Sequence, residues 1–165
     1  MKKIIIAIDS FKGCLTSAEA GKAAEKGIKS INPSCHTSVI PIADGGEGLL
    51  DVLIRATKGK YITLSAHGPL MKMAKTHYGL SGNGRTAIIE MAAISGLPLV
   101  PIEQRNPMLT TTFGTGELIK DALNKGCRNF IIGIGGSATN DAGLGMLQAL
   151  GFRFLDKSGH TLGTG

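Results

Sequence analysis

Phe130-Ile131-Ile132-Gly133-Ile134-Gly135-Gly136-Ser137-Ala138-Thr139-Asn140-Asp141-Ala142-Gly143-Leu144-Gly145-Met146 is the stretch on which the fold turns. Its left flank is a short β-branched run. Its right flank continues as Leu147-Gln148-Ala149-Leu150-Gly151, with helical character. That is the pattern of strand, tight turn and helix. A turn of this kind presents backbone N–H groups at a positive helix end, which suits a phosphate or another anion.

Outward from this stretch, bulk composition sets the frame. The 165 residues are 42% hydrophobic, enough for one core, or one and a half domains. There are 24 glycines and no tryptophan, without low complexity. This points to many tight turns near ligands rather than to disorder. The opening Met1-Lys2-Lys3-Ile4-Ile5-Ile6-Ala7-Ile8-Asp9 has an apolar run too short for a signal peptide. It reads as a strand buried on both faces. No stretch is long enough to span a bilayer as a helix. Cys14, Cys35 and Cys127 are odd in number and lack metal-ligand spacing, so reduced thiols and a cytoplasmic location are expected. The net charge of +6 is scattered and not interleaved with stacking aromatics, which argues against nucleic acid.

Thr16-Ser17-Ala18-Glu19 is a capping-box pattern, and Ala20, Ala24, Ile28 and Ile31 follow at helical spacing up to Asn32-Pro33. Residues 37–42 read as a second strand, Asp44-Gly45-Gly46-Glu47-Gly48 as a sharp turn, and residues 49–56 as a short helix. This β-α-β-α order implies a parallel sheet with right-handed crossovers. The middle changes character. Residues 61–66, 74–80 and 86–91 read as strands, and Asn83-Gly84 is a hairpin signal. An additional α/β subdomain with antiparallel strands is therefore expected, with a boundary near 60–70. Phe113-Gly114-Thr115-Gly116-Glu117 opens another helix. Residues 152–162 read as a strand, a turn and a return strand with nothing beyond, so the chain is expected to be part of a longer protein.

Four turns bear chemistry: Asp9-Ser10-Phe11-Lys12-Gly13, Asp44 to Gly48, Gly114 to Glu117, and Gly133 to Asp141. Turns at the carboxyl ends of parallel strands converge on one crevice. There is no Walker A loop and no lysine between Lys125 and Lys157. A cation for phosphoryl transfer must come from elsewhere, and Lys12 is the candidate. Asp9, Asp44, Glu47 and Asp141 are candidate carboxylates, each equally capable of forming a turn or cap. Glu90, inside a predicted strand, needs a partner or a ligand. Gly133-x-Gly135-x-x-Ala138 followed by Asp156 also fits a dinucleotide fingerprint, leaving a nicotinamide-dependent oxidoreductase as an alternative. Against it, Asn140-Asp141 places a carboxylate where a pyrophosphate would sit. A folded fragment that binds a nucleotide weakly and turns nothing over is the other alternative.

Five motifs stand in a recognisable order. They are Asp9 to Gly13, Pro41 to Gly48, Ile89 to Ala92 with Ser95-Gly96-Leu97, Gly114 to Leu118, and Gly133 to Asp141. Over essentially the whole chain this resembles the N-terminal portion of bacterial glycerate kinases. Cys14, Leu49 and Ala142 depart from the pattern, where serine, threonine and glycine are usual. The resemblance implies ATP and Mg²⁺ as cofactors, glycerate as substrate, and two α/β domains, one with a parallel sheet of flavodoxin or Rossmann-like type and the other inserted into it, with the active site between them. A homo-oligomer is possible, and neither nucleic acid nor membrane is implied. It further implies that Gly135, Gly136, Ser137, Thr139 and Asn140 cradle a phosphate, with Asp9, Ser10, Gly45, Gly46 and Thr115 also binding substrate or phosphate. Lys12 would neutralise the transferring group and Asp44 would orient or deprotonate the acceptor hydroxyl. Asp141, with Glu47, would hold Mg²⁺.

Overall fold

The computed structural model describes residues 3–163; Lys2 and the Thr164-Gly165 end of the chain lie outside the described residues. The elements run β1 (Lys3–Ile8), α1 (Ser17–Ile31), β2 (His36–Pro41), α2 (Leu49–Thr57), β3 (Lys60–His67), β4 (Met73–Leu80), β5 (Thr86–Glu90), α3 (Ala92–Ser95), α4 (Phe113–Asn124), β6 (Asn129–Gly133) and α5 (Leu144–Ala149). Short 3₁₀ turns at Leu97–Leu99 and Ile102–Gln104 punctuate the proline-rich connection before α4.

Two sheets form. β1 and β2 pair in parallel as a two-stranded sheet, with Lys3 opposite His36 and Ile8 opposite Pro41. β3, β4, β5 and β6 form a four-stranded mixed sheet in that order. The β3–β4 and β4–β5 pairs are antiparallel, and β5–β6 is parallel. The fold is thus mixed α/β with both strand senses. The expected hairpin is present: Gly84 takes φ +69° and its N–H donates to the Ser81 carbonyl at 2.8 Å.

α1 starts where the capping box places it. The Thr16 side chain accepts from the Glu19 N–H, and Glu19 accepts from the Thr16 N–H at 2.8 Å. Both bonds satisfy N–H groups that the helix itself cannot. Ser17 ties the two parallel strands together, donating to the Ile8 carbonyl at 2.6 Å and accepting from the Ile42 N–H at 3.0 Å.

β5 is covered on both faces. Ala87 and Ile89 face one core with Tyr78, Ile94, Leu118 and Ala122. Ile88 faces the other, against Leu50 and Ile54 of α2. All three β5 side chains are fully buried, each full burial of an isoleucine contributing about 1.5–3 kcal/mol. β1 differs from expectation. It buries Ile6 alone, while Ile5 stays 59% exposed and Ile40 of β2 49% exposed. α1 covers one face of this sheet, and among the described residues nothing covers the other. The expected terminal hairpin reduces to a single bridge between Leu155 and Thr161.

Candidate functional site

Three of the four turns converge. Asp9 and Ser10 leave the carboxyl end of β1, where the Ser10 N–H donates to Asp9 Oδ1 at 2.6 Å. The Asp44–Gly48 turn leaves β2, and Asp44 Oδ1 accepts from the Gly46 N–H at 3.1 Å. The turn after β6 packs directly against it, the Gly135 N–H donating to the Gly45 carbonyl at 3.1 Å. A Cβ on Gly135 would stand 2.6 Å from Gly46 Cα and 3.0 Å from Gly46 N. These glycines permit backbone to approach backbone. Gly135→Ala is therefore expected to displace the turn carrying Asp44 and Glu47. Misplacement on the order of 1 Å costs about 10²-fold in rate, to be read as kcat/KM in the full-length protein.

Glu90, at the end of β5, fixes the same turn from below. Its Oε2 accepts from the Gly48 N–H at 3.1 Å and the Leu50 N–H at 3.2 Å, capping α2 across 40 residues of sequence. Burial pushes its carboxyl up, only partly offset by those two N–H donors, and Asp51 and Glu47 add to the rise. A raised carboxyl favours folding fully below the unfolded value, about pH 4, and that contribution is lost as pH rises through the folded value. Glu90→Gln keeps an acceptor for both N–H groups and cannot ionise. Its melting temperature relative to the parent is expected to rise as pH goes from about 4 to about 7.

A cavity of about 480 Å³ opens between the Ser10–Glu19 segment and the α2, β4 and β5 elements. Ser10, Lys12, Glu47 and Glu90 line it, so two of the predicted turns meet on one space. Sequence reasoning missed Arg55, Asp51 and His77, which share this wall. Asp51 and His77 are linked through Tyr61, whose hydroxyl donates to Asp51 Oδ1 and whose ring meets His77 edge-on at 5.5 Å. Residues 49–56 read only as a short helix, and nothing local marked one face as a wall.

Other predicted residues stand elsewhere. Thr115 lies inside α4, buried, its hydroxyl 2.8 Å from Ser95 Oγ. It reaches neither cavity, because Gly114 and Gly116 belong to the packed first turn of the helix rather than to an open loop. Ser137 and Thr139 line a second, smaller cavity. Part of the backbone expected to cradle an anion in their loop is engaged within the protein. Gly135, Ala138 and Thr139 already donate their N–H groups to Gly45 O, Ser95 O and Ser137 Oγ. The following helix begins only at Leu144 and has six residues, so it presents no extended positive end to the loop.

Asp141, expected to hold metal, is ringed by protein donors. Oδ2 accepts from the Thr112 N–H and Thr112 Oγ1 at 2.8 Å each, from the Gly145 N–H at 3.1 Å and from Thr111 Oγ1 at 3.4 Å. Oδ1 accepts from the Gly143 N–H at 3.1 Å. Burial pushes its carboxyl up, but the donors of Thr112, Gly143 and Gly145 outweigh this and hold it below the usual range. Oδ2 is thus committed to four protein donors, whereas Oδ1 accepts from one and keeps a lone pair. Among the described residues no three His, Cys, Asp or Glu side chains converge on one metal position. A Mg²⁺ ion that keeps its waters and is held by substrate phosphates and one or two carboxylates needs no such cage. Ala142, beside Asp141, adopts φ +51°, a left-handed conformation that accounts for glycine being usual there.

A family model described as the glycerate kinase family matches residues 4–165. The chain belongs to the glycerate kinase family. It is 55% identical over 163 residues to the glycerate kinase of Bacillus subtilis (strain 168) and 51% identical over 163 residues to the glycerate 2-kinase of Escherichia coli (strain K12). Each match covers 99% of this chain and 43% of the relative. The chain thus spans under half the length of the curated family members it matches. The crystal structure of a protein assigned as glycerate kinase 2 from Salmonella typhimurium LT2 superposes with a TM-score of 0.84 at 49% identity. That match covers 99% of this chain and 44% of the other. Family membership disfavours the dinucleotide alternative, and so does the loop. Its fingerprint glycines do not open a helix, and Asp156 sits in an exposed turn accepting from the Ser158 and His160 N–H groups.

Proposed function

We propose that the full-length protein containing this chain transfers a phosphoryl group from ATP to a hydroxyl of glycerate. The observation that carries this is the joining of Lys12, from the turn after β1, with Glu47, from the turn after β2, on one cavity. The Asp44–Gly48 turn is braced there by Gly135 and Glu90. The glycerate kinases among its relatives support the same chemistry.

In this scheme Lys12 places a positive charge against the transferring group. Preorganised charge of this kind is the main resource of a phosphoryl-transfer site. Asp44, on the rim of the braced turn, accepts the proton of the attacking hydroxyl. Asp9 and Ser10 hold substrate at the mouth of β1. Glu47 is the carboxylate placed to hold Mg²⁺ carried in with the nucleotide. That ion, when bound, would neutralise charge between the phosphates. Asp141 holds α4 and α5 in register and meets no substrate. A cytoplasmic setting accords with three free thiols, and among the described residues no helix is long and apolar enough to cross a membrane.

An assay coupling ADP release to glycerate addition tests the proposal. Glycerate-dependent ADP formation that requires Mg²⁺ is expected. ADP formation indifferent to glycerate would overturn the substrate, and none at all would overturn the kinase activity.

A further inference from the structure

The two cavities differ in the sign of their walls. The larger one sets Glu19, Glu47, Asp51 and Glu90 against Lys12 and Arg55. The smaller one, about 240 Å³, lies between the Leu97–Val100 turn, the Arg105–Thr110 segment and the Ser137–Thr139 stretch. Arg105 is its one charged residue, and no carboxylate lines it. Arg105 Nε–H donates to the Val100 carbonyl at 3.3 Å, which folds the side chain back along its own segment. Among the described residues no ion pair includes Arg105. Its two terminal NH₂ groups form the fork that matches a carboxylate or phosphate in two parallel hydrogen bonds. The hydroxyls of Ser137 and Thr139, 2.8 Å apart, face the same space.

The loop cannot supply this charge itself. Residues 133–141 contain neither lysine nor arginine, and the N–H groups of Gly135, Ala138 and Thr139 are spent on protein acceptors. An anion beside Ser137 and Thr139 therefore depends on a side-chain cation brought in from another segment.

We propose that this second cavity is an oxyanion subsite in which Arg105 supplies the charge and Ser137 and Thr139 supply hydroxyl contacts. Its ligand is a phosphate or carboxylate group of a substrate, which rests on the kinase function proposed above. The nucleotide phosphates and the glycerate carboxylate are the two sources of that chemistry. Arg105 is a binding residue here, brought beside the glycine-rich loop by the bend at Pro101 and Pro107.

Calorimetry on the full-length protein, with inorganic phosphate, ATP and glycerate as separate probes, tests this in the parent, Arg105→Met and Arg105→Lys. Arg105 is exposed and packs no core, so both variants are expected to melt with the parent. Arg105→Met is expected to weaken at least one probe by about 10- to 100-fold, as loss of a charge-assisted hydrogen-bonded contact does. Arg105→Lys should recover part of that loss. Weakening of phosphate and ATP together assigns the nucleotide; weakening of glycerate alone assigns the carboxylate. Equal binding of all three probes by parent and Arg105→Met overturns the subsite, as does a parent that binds none. The kinase function fails by a separate result, the absence of glycerate-dependent ADP release from the parent.

Discussion

Asp44→Asn in the full-length protein is expected to lower kcat by about 10²- to 10⁴-fold, the range that general-base catalysis contributes. ATP affinity is expected to stay near that of the parent. The substitution is nearly isosteric, and the Asn side-chain oxygen can still accept from the Gly46 N–H, so the turn keeps its shape. What changes is the ability to take a proton from the attacking hydroxyl. Steady-state kinetics with varied glycerate, together with calorimetry for ATP, read the two quantities separately. Near-normal turnover would remove Asp44 from the chemistry, leaving it as a turn former.

The second large effect falls on stability. Asp141→Ala deletes the acceptor for three N–H groups and two hydroxyls on two helix starts. Leaving partly buried donors unmatched costs about 1–3 kcal/mol each when no water reaches them. With water reaching some of them, a total of about 3–5 kcal/mol is expected. That is a large share of the 5–15 kcal/mol by which a domain is typically stable. Thermal melts at neutral pH should show a fall on the order of 10 °C. The pH dependence has the opposite sign to that of Glu90. A carboxyl held below its usual range contributes fully above the unfolded value, about pH 4. That contribution is lost as pH falls through the folded value, so the gap between parent and Asp141→Ala should close in acid. An unchanged melting temperature with activity restored by excess Mg²⁺ would return Asp141 to the metal.

These two carboxylates show where sequence reasoning reached and where it stopped. Asp44 and Asp141 look alike in the chain. Each follows a strand, sits among glycines and fits a turn, a metal or a base. Both accept a bond from the N–H two residues ahead, at Gly46 and at Gly143. Only Asp141 also meets Thr111 and Thr112, residues about 30 positions earlier that α4 packing brings to it. Glu90 repeats the lesson. Its place in a strand predicted a partner, but the partner proved to be the N-terminus of α2, more than 40 positions before it.

The local grammar of the chain was sufficient for most elements. The capping box set the start of α1. Asn83-Gly84 set the β4–β5 hairpin, whereas the burial on both faces expected of β1 falls to β5. The ordered motifs were sufficient for the family. These signals are short-range, carried by backbone preference and side-chain periodicity within a few residues. Tertiary structure alone decided how the strands divide into two sheets and why β1 keeps Ile5 exposed. It also decided that the glycine-rich loop spends its Gly135 and Ala138 N–H groups on neighbouring segments and that Arg105 comes to stand beside it. Each of these depends on which distant backbone groups meet, and hydrogen bonds between distant groups leave no period or spacing in the sequence.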